Sequence, residues 1–274
     1  MISVVMALWV RNLRVFVRNK PALFFSLVLP FFFVFVFSRI FGSASLMLAG
    51  IIITTVFDAS LRISSNTIDD MTGGFMKEVL VSPVPRVAIA LGQFASSATV
   101  GTAQGLLIYL IGFFIGLRPD SVVTVAVAVA LMIFVGFTFA GFGLLLASKA
   151  RNMQTFQAMS MAITMPMTFI SGAYIPLSAL PIPLQWVGRF NPMTYAVHFF
   201  RNAIMDIRDE HVEALLAAEQ EILRFGALTV TPALAVAILA VFGAAFLCLS
   251  TMTFSRLDFS KMNRNKGDAD SFWG

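Results

Sequence analysis

Six stretches of this chain run for 18 residues or more without an Asp, Glu, Lys or Arg: 21–38, 40–57, 87–117, 121–148, 152–188 and 225–255. The apolar core of a bilayer is about 30 Å thick and a helix rises 1.5 Å per residue, so roughly 18 uncharged apolar residues suffice to cross it. Composition points the same way: 58% of residues are apolar, 12% are charged and the mean hydropathy is +0.87, whereas a soluble domain carries about 25% charged residues. Too little polar surface exists to coat a water-exposed globule. The chain is expected to be an all-α polytopic membrane protein with six spans.

A net charge of +5 would suggest nucleic acid as a partner in a soluble protein. Here the cations flank apolar runs, where lipid headgroups and topology account for them, and nucleic acid is set aside as a partner. Cys248 is the single cysteine and lies inside the last run, which excludes a disulfide framework or a cysteine metal site and predicts a packing role. Ser43-Ala44-Ser45 resembles a signal-peptidase site, but the basic segment and the apolar stretch before it are both too long for a cleavable signal, so the first run is kept as a helix.

Thirteen of the 19 Lys and Arg fall in four segments: residues 11–20, residues 62–86, Lys149 with Arg151, and the tail from Arg256 to Lys266. With six spans these segments share one side, which the positive-inside rule makes cytoplasmic together with both termini. Residues 1–18 place Arg11, Arg14 and Arg18 on one side of a helix and Ile2, Val5, Trp9, Leu13 and Phe16 on the other, the pattern of an interfacial helix.

The first span holds Pro30 and a Phe series covering every side of the helix, so sequence alone does not separate lipid-facing rings from packing ones. The second holds Asp58, the only acid well inside an apolar run, with Arg62 four residues on. An intramembrane carboxylate normally faces a partner, a cavity or a proton path. A local ion pair with Arg62 and a part in substrate or proton movement both fit the spacing. Gly101, Gly105, Gly112 and Gly116 in the third span, and Gly136, Gly141 and Gly143 in the fourth, mark close helix packing.

The uncharged run from Asn152 is broken by Pro166, Gly172, Pro176, Pro181 and Pro183. It predicts a helix over 154–171 and then an irregular segment. Asn191-Pro192 supplies a cap and first residue for a helix over 193–205, too short to span and therefore re-entrant or buried at the outer surface. Beyond Asp209, Val212, Leu215, Leu216, Ile222 and Leu223 recur at helical spacing with acids between, an amphipathic surface helix.

Catalytic chemistry finds little foothold. His198 and His211 are the only histidines, no metal-ligand or nucleophile motif occurs, and no glycine-rich phosphate loop is present. The expectation is a non-enzymatic chain with no catalytic residue, no metal and no cofactor of its own.

The one substantial internal loop, 66–86, reads Asp69-Asp70-Met71-Thr72-Gly73-Gly74-Phe75-Met76-Lys77-Glu78, followed by Leu80, Ser82-Pro83 and Arg86. From Gly74 onward it resembles the coupling segment of the type-2 ABC exporter permeases, particularly the daunorubicin-resistance-like branch. A second stretch is similar to the same family: Ser171-Gly172, Ile175-Pro176, Leu180-Pro181, Leu184, then Asn191-Pro192-Met193-Thr194-Tyr195 and Arg201. The order of both motifs and their sides of the membrane agree with it. One departure is Asp69-Asp70-Met71-Thr72, where the family often has an acidic-Arg pair; it bears on the ionic contact with the motor and not on the family.

The resemblance covers the whole chain, 1–274, as one permease domain without a nucleotide-binding domain. It implies a bacterial plasma-membrane (inner-membrane) subunit that pairs with a second permease, a copy or a paralogue, and binds two ATP-binding-cassette ATPase subunits that carry ATP and Mg. Asp69, Asp70, Gly73, Gly74, Phe75, Lys77 and Glu78 would couple to the ATPase. Pro176, Asn191, Pro192 and Tyr195 would form an outer gate. For the substrate pathway the candidates are Asp58 and, on the fifth span, Thr164, Met165, Thr168 and Phe169, which combine thioether, hydroxyl and aromatic surface suited to a large apolar cargo. A hydrophobic drug or lipid-like substrate fits the short external loops and Phe-rich spans. Glycan export by the same fold, an ion-coupled carrier built on Asp58, and a membrane enzyme are the competing readings.

Overall fold

The computed structural model describes residues 2–41, 44–72, 86–115, 121–150, 152–204, 210–224 and 230–255, and every regular element among them is helical. In chain order these are α1 (Ile2–Arg18), α2 (Lys20–Phe41), α3 (Ala44–Thr72), α4 (Arg86–Ile115), α5 (Val122–Lys149), α6 (Met153–Ile170), a 3₁₀ turn (Leu177–Ala179), α7 (Ile182–Arg189), α8 (Pro192–Ile204), α9 (Glu210–Ile222) and α10 (Pro232–Ser255).

The boundaries follow local chemistry. Ser121 and Asn152 cap α5 and α6, each side-chain oxygen accepting from the backbone N–H three residues on, at 3.2 and 2.8 Å. Asn191 Oδ1 accepts from Met193 N at 3.0 Å to start α8, with Pro192 as its first residue, as its sequence predicts. At 30 residues α4 is about 45 Å long, more than the apolar core needs.

Helix α3 is the centre of the bundle. It packs against α4, α5, α2 and α8, and 89% of its most apolar window is buried. That closeness comes from small residues: a side chain on Gly101 of α4 would meet Val56 O at 2.9 Å, and one on Gly136 of α5 would meet Ala98 of α4 at 2.8 Å. Around α3, Phe57 and Phe139 pack edge to face with centroids 4.6 Å apart, in a core that also takes Met47, Ile51, Ile52, Met132 and Phe200.

Among the described residues, four stretches are long and apolar enough to cross a membrane, Met47–Asp70, Val87–Phe114, Val122–Lys149 and Pro232–Thr253, with a fifth if α1 and α2 count as one span bent by 72°. Helix α6, where the fifth of six spans was expected, has 18 residues but is interrupted in character by Gln154, Gln157 and Ser160, and does not meet the same hydropathy standard. Cys248 departs from its expected packing role: it is exposed on α10, on a helix that buries little of itself in this chain.

Candidate functional site

Three regions collect the residues singled out by sequence. The first is the carboxy-terminal end of α3. Its residues Asp69 and Asp70 look equivalent in sequence, but the structure treats them differently: Asp69 is exposed, and Asp70 is buried against α1. Both guanidinium nitrogens of Arg11 donate to the two Asp70 carboxylate oxygens, one at 2.8 Å. Alongside, Asn12 Nδ2 donates to Gln93 and, at 2.9 Å, to Ser96 Oγ, while Gln93 Nε2 donates to Thr67 Oγ1 at 2.6 Å and Trp9 Nε1 to Thr99 Oγ1 at 2.9 Å. A buried polar ladder of this kind fixes register, since each member left unpaired would carry a desolvation penalty. Helix α1 is thus fastened to α3 and α4 just before the chain enters the internal loop. Gly73, Gly74, Phe75, Lys77 and Glu78 lie outside the described residues.

The second region is a small cavity of about 50 Å³ between α2 and α3, with Tyr174 also in its wall. Asp58 and Arg62 both line it, together with Ser26, Thr54, Thr55 and the rings of Phe25, Phe33 and Tyr174. The expected Asp58–Arg62 pair does not close to ion-pair distance, although the two charges act on one another. Arg62 donates instead to Gln104 Oε1 of α4 at 3.2 Å, and Gln104 Nε2 donates on to Ser26 Oγ of α2 at 2.6 Å. A neutral amide from a neighbouring helix takes the guanidinium that the i,i+4 spacing offered to Asp58. The Thr54 hydroxyl at the cavity's edge donates to Ile51 O of its own helix at 2.9 Å.

The aromatic lining continues outward: Phe33 and Tyr174 lie 5.0 Å apart, and Tyr174 and Phe169 of α6 5.6 Å apart. Of the four pathway candidates on α6, Phe169 alone joins this aromatic line. Thr168 is buried and turned to α8, its hydroxyl 3.9 Å from the Met193 sulfur, while Met165 is 52% exposed on the outside of the helix and Thr164 is half-buried. On the helix Thr164, Thr168, Met165 and Phe169 fall within an arc of about 140°, wide enough for Thr168 to face α8 while Phe169 meets Tyr174.

The third region is the outer cap. Asn191 Nδ2 donates to Met167 O of α6 at 2.6 Å, and the Tyr195 hydroxyl donates to Arg189 O at 2.6 Å, tying α8 to α6 and α7. Pro176 precedes the 3₁₀ turn and is buried. Helix α8 is buried along most of its length, as a non-spanning apolar helix must be. The four residues expected at an outer gate therefore belong to one packed unit.

Sequence reading missed what holds that unit together. Arg201, fully buried, donates to Glu219 Oε1 of α9 at 2.5 Å and to Gly172 O at 2.6 Å, and His198 Nδ1 stands 4.0 Å from Glu219 Oε2. Gly172 adopts φ +85°, a conformation that side-chain-bearing residues rarely take, which aims its carbonyl at Arg201. Burial alone would raise the Glu219 carboxyl, but Arg201 and His198 outweigh it and hold the group below the usual glutamate range. A signal was present: Glu219 lies between Leu216 and Leu223 at i+3 and i+7, on the apolar side of α9 and not among its solvated acids.

These features define a polytopic helical membrane protein with an amino-terminal helix locked to its core, a cavity lined by Asp58 and Arg62, and a packed cap around α8. The ABC-2 type transporter family model matches residues 3–205, most of the chain, and the protein belongs to that family of membrane permease subunits, which work with ABC ATPase subunits. Among similar proteins, the putative transport permease ycf38 of Cyanophora paradoxa is 26% identical over 208 residues, 70% of this chain and 71% of that protein. The inner membrane transport permease YadH of Escherichia coli K12 is 27% identical over 135 residues, and nodulation protein J of Rhizobium leguminosarum bv. trifolii 26% over 132. This chain spans about half the length of those two, 52% and 49%.

Proposed function

We propose that this permease exports a hydrophobic or amphiphilic, drug- or lipid-like substrate from the cytoplasm or inner leaflet of a bacterial inner membrane, driven by ATP hydrolysis on a separate subunit. In this reading six spans, α2 to α6 with α10, leave both termini cytoplasmic. Two permeases, identical or paralogous, then enclose the pathway. The observation that carries the substrate assignment is the aromatic line from Phe33 through Tyr174 to Phe169, which runs from the α2–α3 cavity to the exposed face of α6.

Pairing is supported by how little of two helices this chain covers. Along the 18 residues of α6 Phe156 and Thr168 are the buried ones, and α2 exposes Phe24, Phe25, Phe32 and Phe35. Such apolar faces meet lipid or another permease. ATP-driven motion of the motor would enter through the segment joining α3 to α4 and rock the two halves about the cavity, with the α7–α9 cap as the outer gate.

The test is reconstitution with the cognate ATPase subunit. Glu78→Ala, or deletion of 73–78, is expected to abolish permease-stimulated ATP hydrolysis or copurification of that subunit. Unchanged stimulation with an intact complex would overturn the assignment of the loop.

A further inference from the structure

Asp58 is the unusual group in this membrane bundle. Among the described residues its carboxylate accepts no hydrogen bond and makes no ion pair within 4 Å, although Arg62 is one turn away, because Gln104 holds that guanidinium. An ionisable group at this depth is expensive and is normally matched by a partner. Here Arg62 acts on it from beyond ion-pair distance, and the other neighbours are Thr54, Thr55, a cavity of about 50 Å³ and three aromatic rings, Phe25, Phe33 and Tyr174. Aromatic faces attract cations and give nothing to anions. At the cavity's edge Phe25 and Leu29 are 69% and 57% exposed, so an apolar body attached to whatever enters would lie along α2 on the lipid side.

We propose that the α2–α3 cavity binds the ammonium head of an amphipathic cation, with Asp58 as its counter-charge and the rings of Phe33 and Tyr174 lining the space around it. The inference rests on the permease reading and narrows its substrate class from amphiphiles in general to those carrying a positive head. An anion is disfavoured by the lining itself: the Asp58 carboxylate repels it, and the aromatic faces favour a cation. Arg62 nevertheless lines the cavity, one turn from Asp58, where it meets a phosphate or carboxylate if the ammonium bears one on a short link. Two sources share this chemistry, a simple lipophilic ammonium compound and a zwitterionic lipid such as phosphatidylethanolamine.

The experiment is scintillation-proximity binding of tritiated hexadecyltrimethylammonium to the full chain in maltoside micelles, whose headgroups are uncharged. Saturable binding is expected, with hexadecanol and hexadecyl sulfate competing at least tenfold more weakly than unlabelled cation. Asp58→Asn should weaken binding at least tenfold and Asp58→Glu should retain it. Equal competition by hexadecanol, which needs no variant, or unchanged binding by a folded Asp58→Asn protein would overturn the proposal. Competition by phosphatidylethanolamine that is lost in Arg62→Gln assigns the site to the lipid, and its absence assigns it to the simple cation; either supports the cation site. Because the measurement uses the permease alone, its failure leaves coupling to the ATPase intact, and failed coupling leaves this binding measurable.

Discussion

Arg11 of the amino-terminal helix and Asp70 at the end of α3, 59 residues apart, meet as a two-pronged guanidinium–carboxylate pair. Arg11 keeps 35% of its side-chain exposure and Asp70 8%, so water screens one partner and leaves the other dependent on the pair. Arg11→Ala is expected to cost about 1 kcal/mol, screened as surface pairs are but raised by the stranded carboxylate. The check is a shift in thermal midpoint of the detergent-solubilised protein. Asp70→Asn in the same background should add less than it does alone, the sign of a direct pair.

Removing Arg201 is expected to be far more damaging. Its loss strands the Glu219 carboxylate at 4% side-chain exposure and leaves Gly172 O without its donor. Breaking a buried pair from one side costs about 3–5 kcal/mol, whereas replacing both partners with apolar residues costs much less. Limited proteolysis between α8 and α9 should show Arg201→Met cleaved rapidly and Arg201→Met with Glu219→Met restored toward wild type. Equal sensitivity of the single and double variants would contradict this account.

The same carboxyl sets an acid limit on the cap. Its folded-state value lies below the ordinary 4.5, so the unfolded chain binds the proton more readily. The stabilisation is therefore fully present above about pH 4.5 and is lost as pH falls through the depressed folded value. Thermal midpoints measured from pH 7 downward should drop in wild type below that point and stay flatter in Glu219→Gln, which is less stable at neutral pH.

A methyl group is expected to disrupt the contact between α3 and the turn after α6. A side chain on Gly50 would overlap the carbonyl of Ala173, which is backbone and cannot swing away. Gly50→Ala should destabilise by roughly 1–3 kcal/mol, the usual cost of overpacking, and lower the yield of monodisperse protein in gel filtration.

Much of this architecture was readable from residues close together in sequence. The basic side of α1, the Asn191 cap and the proline-broken segment after α6 are local signals, and the elements form where those signals fall. What escaped was set by contacts between distant helices. The Asp58–Arg62 spacing suggests a pair, yet Gln104, 42 residues beyond Arg62, takes the guanidinium. Likewise the two adjacent acids Asp69 and Asp70 separate in role because α1 docks on one side of α3 only. Glu219 was hidden among other acids, although its place on the apolar stripe of α9 distinguishes it.

Arg201 grips α9 through Glu219 and the post-α6 turn through Gly172 O, from its own position on α8. One cation is thereby spliced into three separate stretches of chain. Whatever lifts α8 must carry its two neighbours along, so the outer cover travels as a single plate and not as independent flaps.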